Sequence, residues 1–380
     1  MAKGSIRRRG TRYQITVDVG IDEFTGKRKR HYESFDSEKE AMIALEDIKR
    51  KVDAGTYLKE TDDTFEEFMR NWFSSNKRML RQNTLYTYER YLNILYPYLP
   101  VINAKEVTKA HAESILEKLS EKYKSSTVAV FRRLMSTAFN YYIRKEVVAK
   151  NPFHGIRVKR ETRNYTIWKP EQVATFLEHM RTRGANRHGN RAYYMAFQIA
   201  LRTGMRKSEI LGLRWQNVSL DDGMIFVRET LHQTNSNGEK FVAPTKSKAG
   251  MRSVAIDKTL VEELRNYREY QLDQAREKDA EQLIQAPNDY VITTVDFNTM
   301  HPRNLTSILF KAIKETGLPR LRFHDLRHTH ASLLLANGIS AKVIQERLGH
   351  ARIETTINTY SHLFPSMQVE AARKIDELFE

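Results

Sequence analysis

The chain has 380 residues, a formal net charge of +16 and no cysteine, and its length favours two or three folded domains. The absence of cysteine excludes disulfide frameworks, thiolate metal sites and a cysteine nucleophile. The sequence has no apolar run long enough for a membrane span and no recognisable signal peptide, so neither a membrane-spanning nor an exported chain is predicted. The positive charge favours a polyanionic partner, with nucleic acid ahead of an anionic membrane surface or no such partner.

Residues 1–58 are predicted to form a small three-stranded sheet with a helix covering one face. Apolar and polar residues alternate between Tyr13 and Val19, which is typical of a half-buried strand, and Ser37 with Glu40 predicts a helix cap. The uncovered face is a candidate DNA contact, although a solvated basic edge is the alternative. The candidate DNA-binding residues here are Arg7, Arg8, Arg9, Arg12, Lys27, Arg28, Lys29 and Arg30.

Residues 61–155 are predicted to be entirely helical. Thr64 with Glu67 forms a capping box, and Asn83 is the predicted cap of the next helix. A long helix over about 125–148 has one apolar face, which predicts burial of that face.

Basic residues lie off this buried face and continue into segment 156–169, which lacks periodicity and is predicted to be a linker. Residues 131–160 contain eight basic side chains and one acidic side chain, as expected of a surface that contacts phosphates. The candidate DNA-binding residues here are Arg132, Arg133, Arg144, Lys145, Arg157, Lys159 and Arg160.

Residues 170–380 mix helices and short strands, with an amphipathic tail helix predicted over 366–380. The fold class predicted for the whole chain is therefore multidomain α+β, with a mainly helical last domain. Polar residues in this domain concentrate in the segments 203–210, 245–252, 324–330 and 348–362.

His324 and Arg327 lie three residues apart, so a helix would present both on one face to a single anion. His324 and His328 also have the spacing of a helical zinc motif. A zinc site needs a third ligand and normally a glutamate base, whereas Asp325 intervenes and Arg327 would repel a cation, so the sequence predicts no metal.

The ordered set of Arg206, Lys246, His324-x-x-Arg327, Leu348-Gly349-His350 and Tyr360 resembles the tyrosine recombinases, the integrases of temperate phages and integrative conjugative elements. The resemblance covers nearly the whole chain. It implies an arm-type DNA-binding domain at 1–58, a core-binding domain at 61–155 and a catalytic domain at 170–380.

The resemblance also implies a site-specific recombinase that joins DNA through a 3′-phosphotyrosine and a Holliday junction, without metal, ATP or other cofactor. Tyr360 would be the nucleophile, and Arg206 and Arg327 would hold the phosphate. His324 would accept the tyrosine proton or bond a phosphate oxygen. Lys246 would protonate the leaving oxygen, His350 would donate to the phosphate and Glu209 would orient Arg206.

Some points stay open in the sequence. Lys240 and Lys248 rival Lys246, because Thr245-Lys246-Ser247 departs from the family's usual lysine segment. Type IB topoisomerase activity and a catalytically silent DNA-binding protein are the alternative functions. The resemblance implies double-stranded core-type and arm-type DNA as substrate, with a tetramer on DNA. It also implies an excisionase and a host DNA-bending protein as partners, and a location in the bacterial cytoplasm in association with the nucleoid.

Overall fold

The computed structural model describes residues 2–21, 28–54, 63–159, 165–184, 188–233, 240–245, 248–285, 289–354 and, near the C-terminus, 372, 373, 375–377 and 379. The chain divides into two compact units, Met1–Thr162 and Arg163–Glu380. The multidomain α+β class is confirmed, while the boundaries of the three predicted domains stay a prediction. No helix in the described ranges is long and apolar enough to cross a membrane.

The first part of the N-terminal unit is an antiparallel sheet of order β1–β2–β3 with one helix. Ile15 and Val17 of the central strand pack with Ala41, Leu45 and Ile48 of the helix, because alternate strand residues face the same side. The elements are β1 Gly4–Arg9, β2 Arg12–Ile21, β3 Arg28–Phe35 and α1 Glu38–Asp53. The predicted sheet with one covered face is therefore present.

Four helices form the second part of this unit around a separate apolar cluster. They are α2 Phe65–Asn76, α3 Gln82–Leu95, α4 Lys109–Lys122 and α5 Ser125–Ile143. The predicted capping box is formed: the Thr64 N–H donates to Glu67 Oε2 at 2.9 Å, and the Glu67 N–H donates to Thr64 Oγ1 at 3.3 Å.

Two predicted helix ends in this region are wrong. Helix α3 begins at Gln82 with Arg81 as its cap residue, so Asn83 lies inside the first turn. Helix α5 ends at Ile143 rather than near residue 148. Glu146 there has a left-handed φ of 57°, and this conformation breaks the helical path before Asn151-Pro152 is reached.

The C-terminal unit surrounds helix α7, whose residues between Ala192 and Leu201 are nearly all buried. Phe197 is fully buried against Phe176 and Phe323, and truncating such a side chain costs about 3–5 kcal/mol. The helices are α6 Pro170–Gly184, α7 His188–Thr203, α8 Lys207–Leu211, α9 Lys258–Glu277, α10 Pro302–Thr316, α11 Phe323–Ala336 and α12 Ala341–Leu348.

The strands of this unit form one three-stranded sheet and one hairpin. They are β4 Val218–Ser219, β5 Met224–Val227, β6 Glu229–Gln233, β7 Lys240–Pro244 and β8 Arg252–Ala255. The sheet has the order β4–β5–β8, and β6 pairs with β7. The sequence did not predict β4, β6, α8 or α9, although Leu260, Leu264 and Tyr267 on the buried face of α9 recur at helical spacing.

Candidate active site

Arg206 is placed by a tight reversal between α7 and α8. Gly204 makes this reversal possible with a φ of +67°, and a Cβ there would lie 2.6 Å from Leu348 Cδ2 and 2.7 Å from His330 Cδ2. Arg206 then caps α8, with its N–H donating to Glu209 Oε2 at 2.8 Å and its Nη1 donating to Glu209 Oε1 at 2.7 Å. Glu209 therefore orients the side chain of Arg206.

Arg327 projects from α11 towards the same turn between α7 and α8. Its Nη1 donates to the Gly204 carbonyl at 2.8 Å, and its Nη2 donates to the Leu348 carbonyl at 2.6 Å. The residue is only 2% exposed. These two bonds fix the guanidinium between the end of α7 and the end of α12.

His350 follows the end of α12, where Gly349 adopts a left-handed φ of 68°. The His350 N–H donates to the Gln345 carbonyl at 3.0 Å, and Arg206 Nη2 donates to the Gly349 carbonyl at 3.4 Å. Arg206 and Arg327 therefore meet at adjacent carbonyls immediately before His350.

The two arginines and burial keep the neighbouring histidines neutral. Burial lowers the pKa of His324, and the charges of Arg327 and Arg206 lower it further. Burial lowers the pKa of His350 to about 3, again with help from Arg327 and Arg206. Because both arginines act on both imidazoles, these four predicted residues form one cluster. At neutral pH each imidazole has one N–H donor and one acceptor nitrogen.

The other histidines of α11 have supporting contacts. The His328 ring lies 4.3 Å from the Tyr165 ring and 5.1 Å from the His324 ring. The Asp325 carboxylate is engaged by Arg322 and accepts from its N–H, Nε and Nη2. Within the described part of the chain, no three His, Asp or Glu side chains group as metal ligands would.

Two predicted catalytic residues, Tyr360 and Lys246, lie outside the described residues. The rival Lys240 donates from Nζ to the Thr299 carbonyl. Burial lowers the pKa of the neighbouring His301, and the charges of Arg303 and Lys240 lower it further. The side chain of the other rival, Lys248, is not described.

The predicted DNA-binding residues of the arm sheet are exposed where described, but they occupy two faces. Arg7 pairs across the strands with Gln14, and Arg9 pairs with Arg12, so these residues share the face opposite the helix. Arg8 pairs with Tyr13 on the helix side, which corrects the expectation that the free face holds all the arginines. Arg30 and Arg28 bind Asp18 at 3.0 and 3.2 Å. Lys29 is exposed, and Lys27 lies outside the described residues.

In the helical region most of the predicted DNA-binding side chains are exposed. Arg132 is the exception: it is partly buried, and its Nη1 donates to the Phe153 carbonyl at 3.4 Å. The exposed members are Arg133, Arg144, Lys145, Arg157 and Lys159, while Arg160 lies outside the described residues.

Sequence reasoning missed the role of Arg252. This residue opens β8, and its Nη1 and Nη2 donate to Glu209 Oε1 and Oε2 at 3.2 and 3.0 Å. Burial alone would raise the pKa of Glu209, but the charge and hydrogen bonds of Arg252, together with Arg206, lower it. The only signal in the sequence is its position at the end of the lysine segment.

Two family models match the chain. The phage integrase family model matches residues 167–367, which is just over half of the chain. A model described as an arm DNA-binding domain matches residues 5–52.

Relatives match over nearly their full length. The XerC-like tyrosine recombinase of Caldanaerobacter subterraneus subsp. tengcongensis is 27% identical, over 97% of this chain and 96% of its own. The ICEBs1 integrase of Bacillus subtilis is 25% identical, over 96% of this chain and 97% of its own.

Two solved structures share the fold. A Tn1549 transposon integrase in complex with transposon right end DNA has a TM-score of 0.69 at 21% identity, covering 82% of this chain and 99% of that one. A lambda integrase tetramer bound to a Holliday junction has a TM-score of 0.56 at 17% identity, covering 93% and 94%.

Proposed function

Because the chain belongs to the phage integrase family of tyrosine recombinases, we propose that it integrates a mobile element into host DNA and excises it again. The observation that carries this proposal is the cluster of Arg206, Arg327, His324 and His350 around the end of α12. Two guanidiniums and two neutral imidazoles suit one phosphodiester, because they offer charge and hydrogen bonds without a metal.

In the proposed first step, the phenol oxygen of Tyr360 attacks a DNA phosphorus atom. A bond forms from this oxygen to phosphorus, and the bond from phosphorus to the 5′ oxygen breaks. The products are a 3′-phosphotyrosine and a 5′-hydroxyl. The free phenol has a pKa of about 10, so about 0.1% of it is ionised at neutral pH; nearby Arg206 and Arg327 would favour the phenolate.

The remaining groups move or hold protons in this scheme. His324 accepts the phenol proton, or it bonds a phosphate oxygen while water takes that proton. His350 donates a hydrogen bond to the phosphate, and Lys246 protonates the departing 5′ oxygen. The 5′-hydroxyl of a second duplex then reverses the chemistry and forms a Holliday junction. Each step exchanges one phosphodiester for another, so ATP is not required.

The proposed partners follow from the basic surfaces and the relatives. The exposed face with Arg7, Arg9 and Arg12 would contact arm-type DNA, and the basic face of the helical region would contact core-type DNA. A tetramer on DNA is supported by the similar fold of the lambda integrase tetramer on a Holliday junction. An excisionase, a host DNA-bending protein and a location at the bacterial nucleoid complete the proposal.

The test uses nicked duplexes tiled across the DNA that flanks the gene. Cleavage at the correct position releases a short strand, which prevents religation and traps the protein on DNA. The wild-type chain should form one covalent adduct, and mass spectrometry should locate it at Tyr360. Tyr360→Phe should bind the same duplex and form no adduct.

Other outcomes would point to other functions. Adducts on any duplex, with relaxation of any supercoiled plasmid, would favour a type IB topoisomerase. Binding without an adduct on any tile would favour a catalytically silent DNA-binding protein. An adduct retained by Tyr360→Phe would refute the nucleophile.

A further inference from the structure

Three successive carbonyls at the end of α12 each accept a hydrogen bond from a different arginine. Arg252 Nε donates to the Arg347 carbonyl at 2.7 Å, Arg327 Nη2 to the Leu348 carbonyl and Arg206 Nη2 to the Gly349 carbonyl. A helix C-terminus attracts cations, because its last carbonyls lack partners within the helix. The end of α12 therefore sets the spacing of the three guanidiniums.

Arg252 donates from all three of its guanidinium nitrogens to acceptors within the protein, and its side chain is far less exposed than that of Arg206. Its side chain is 6% exposed, and it donates to Glu209, to the Arg347 carbonyl and to the Gly250 carbonyl. These acceptors all belong to the site itself, so the hydrogen bonds of Arg252 join Glu209 to the end of α12.

Glu209 connects Arg252 to Arg206. This carboxylate is 2% exposed and receives four hydrogen bonds, two from Arg206 and two from Arg252. Without Arg252 this buried carboxylate would keep Arg206 as a cationic partner but lose two of its four hydrogen bonds, so it would protonate more readily or move. Loss of Arg252 would thus change the carboxylate that holds Arg206.

Arg252 also packs against the residue that precedes His350. A Cβ on Gly349 would lie 2.6 Å from the Ala249 carbonyl oxygen and 3.0 Å from Arg252 Cδ. The backbone leading to His350 therefore runs directly over the strand that carries Arg252.

We propose that Arg252 is a positioning residue, which holds Arg206 through Glu209 and the backbone before His350 through the Arg347 carbonyl, so that both face one phosphate. This inference rests on the proposed function and adds a residue to that same site. A misplacement of about 1 Å in such a site can cost about 100-fold in rate.

The test measures single-turnover adduct formation on the nicked duplex that traps the wild-type chain. Arg252→Met should slow adduct formation by about 100-fold, while its affinity for the duplex stays within about 3-fold of wild type. Arg252→Lys keeps the charge but not the planar fork of the guanidinium, so its rate of adduct formation should lie between those of the wild type and Arg252→Met. Arg265→Met is the matched control: its exposed guanidinium pairs with Asp221, and its rate should equal the wild-type rate.

A pH profile separates positioning from loss of structure. In Arg252→Met the buried Glu209 has lost a counter-charge, so the acid limb of the rate profile should move up by about one pH unit or more. Adding Glu209→Gln should abolish that movement. A merely structural defect would lower the rate equally at every pH.

Each outcome bears on one claim. If the wild-type chain forms no adduct on any tile, the proposed function fails. If it does, the inference is overturned by a folded Arg252→Met with a wild-type rate, by an equal loss of DNA binding, or by an unchanged acid limb. If Arg252→Met does not fold, the Arg252→Lys variant is the test. A wild-type rate of adduct formation in Arg252→Lys, or its failure to fold, would then overturn the inference.

Discussion

Arg347 donates from Nε to Nε2 of His330 at 3.1 Å, and this contact requires His330 to be neutral. The proton must then be on Nδ1, which donates to the Leu201 carbonyl at 2.8 Å. Arg347 also donates to the carbonyls of Arg202 and Ala255. The pair therefore fastens α12 to the end of α7, which leads into the turn before Arg206, and to β8, which carries Arg252.

Acid should weaken the C-terminal unit through His330. Burial, with the charge of Arg347, lowers its pKa to about 4, whereas the unfolded value is about 6.5. Below pH 6.5 the unfolded chain binds this proton and the folded chain does not, so the free energy of unfolding falls as the pH drops towards 4. His330 alone accounts for about 3 kcal/mol over this interval.

Urea unfolding at a series of pH values, followed by fluorescence, measures this effect. His330→Gln can still accept from Arg347 and donate to the Leu201 carbonyl, but it does not titrate. Its stability should therefore decline less than that of wild type between pH 6.5 and 4. Equal declines in both proteins would contradict the assignment.

Gly349→Ala should damage the site far more than an alanine at another left-handed glycine. Gly317 ends α10 with the same φ of 68° and has no atom within 4 Å of its Cβ position. Gly317→Ala should thus cost only the backbone strain of about 1–2 kcal/mol. Gly349→Ala adds overlap with the Ala249 carbonyl and Arg252, worth about 1–3 kcal/mol more. Thermal melts and rates of adduct formation compare the two variants. Equal losses of stability and activity in both would refute the close approach of Gly349 to Ala249 and Arg252.

The lysine assignment can be tested with a sulfur leaving group. Lys246→Ala should slow cleavage of ordinary DNA by about 10²–10⁴-fold, the usual contribution of a general acid. A duplex with sulfur in place of the 5′ bridging oxygen needs no proton on its leaving group, so it should restore the rate.

Lys240→Ala is the matched control for this experiment. The Lys240 ammonium already donates to the Thr299 carbonyl, so its loss should leave cleavage near wild type. Sulfur rescue of Lys240→Ala instead of Lys246→Ala would reverse the assignment, and rescue of Lys248→Ala would transfer the role to that lysine.

Arg7→Ala and Arg9→Ala should weaken binding to an arm-type duplex without affecting binding to a core-type duplex. Each lost phosphate contact should make the plot of log affinity against log salt concentration less steep, by about one unit of slope. Arg50→Ala removes the same charge from the exposed part of α1 and serves as the control. If all three variants show the same slope, the free face of the sheet is not the DNA contact.

Deleting residues 366–380 should change assembly on DNA. Ile375 and Phe379 are 53% and 87% exposed, and apolar side chains at this exposure favour a binding partner. Sedimentation of the protein on its duplex should show fewer protomers per DNA, or the assay of adduct formation should show altered cleavage. Phe379→Ser tests the same surface with a single change, and wild-type recombination by the truncated chain would exclude a role for the tail.

Local sequence predicted the candidate catalytic residues and many of the elements. Helix α10 begins at Pro302 and ends before Gly317, and both residues are short-range signals for a helix start and a helix end. The buried strand β2 and the capping box at Thr64 depend on equally short-range patterns. Because recombinase motifs have fixed residues at short spacing, the sequence also indicated Arg206, His324, Arg327, His350 and Tyr360.

Only the tertiary structure revealed how these motifs meet. The bonds from Arg252, Arg327 and Arg206 to three successive carbonyls join segments up to 143 residues apart. No periodicity encodes such contacts, because a backbone carbonyl at a helix end is the same in every sequence. For the same reason an arginine in a strand looked like surface charge, whereas packing buried Arg252 beside Glu209 and made it part of the site.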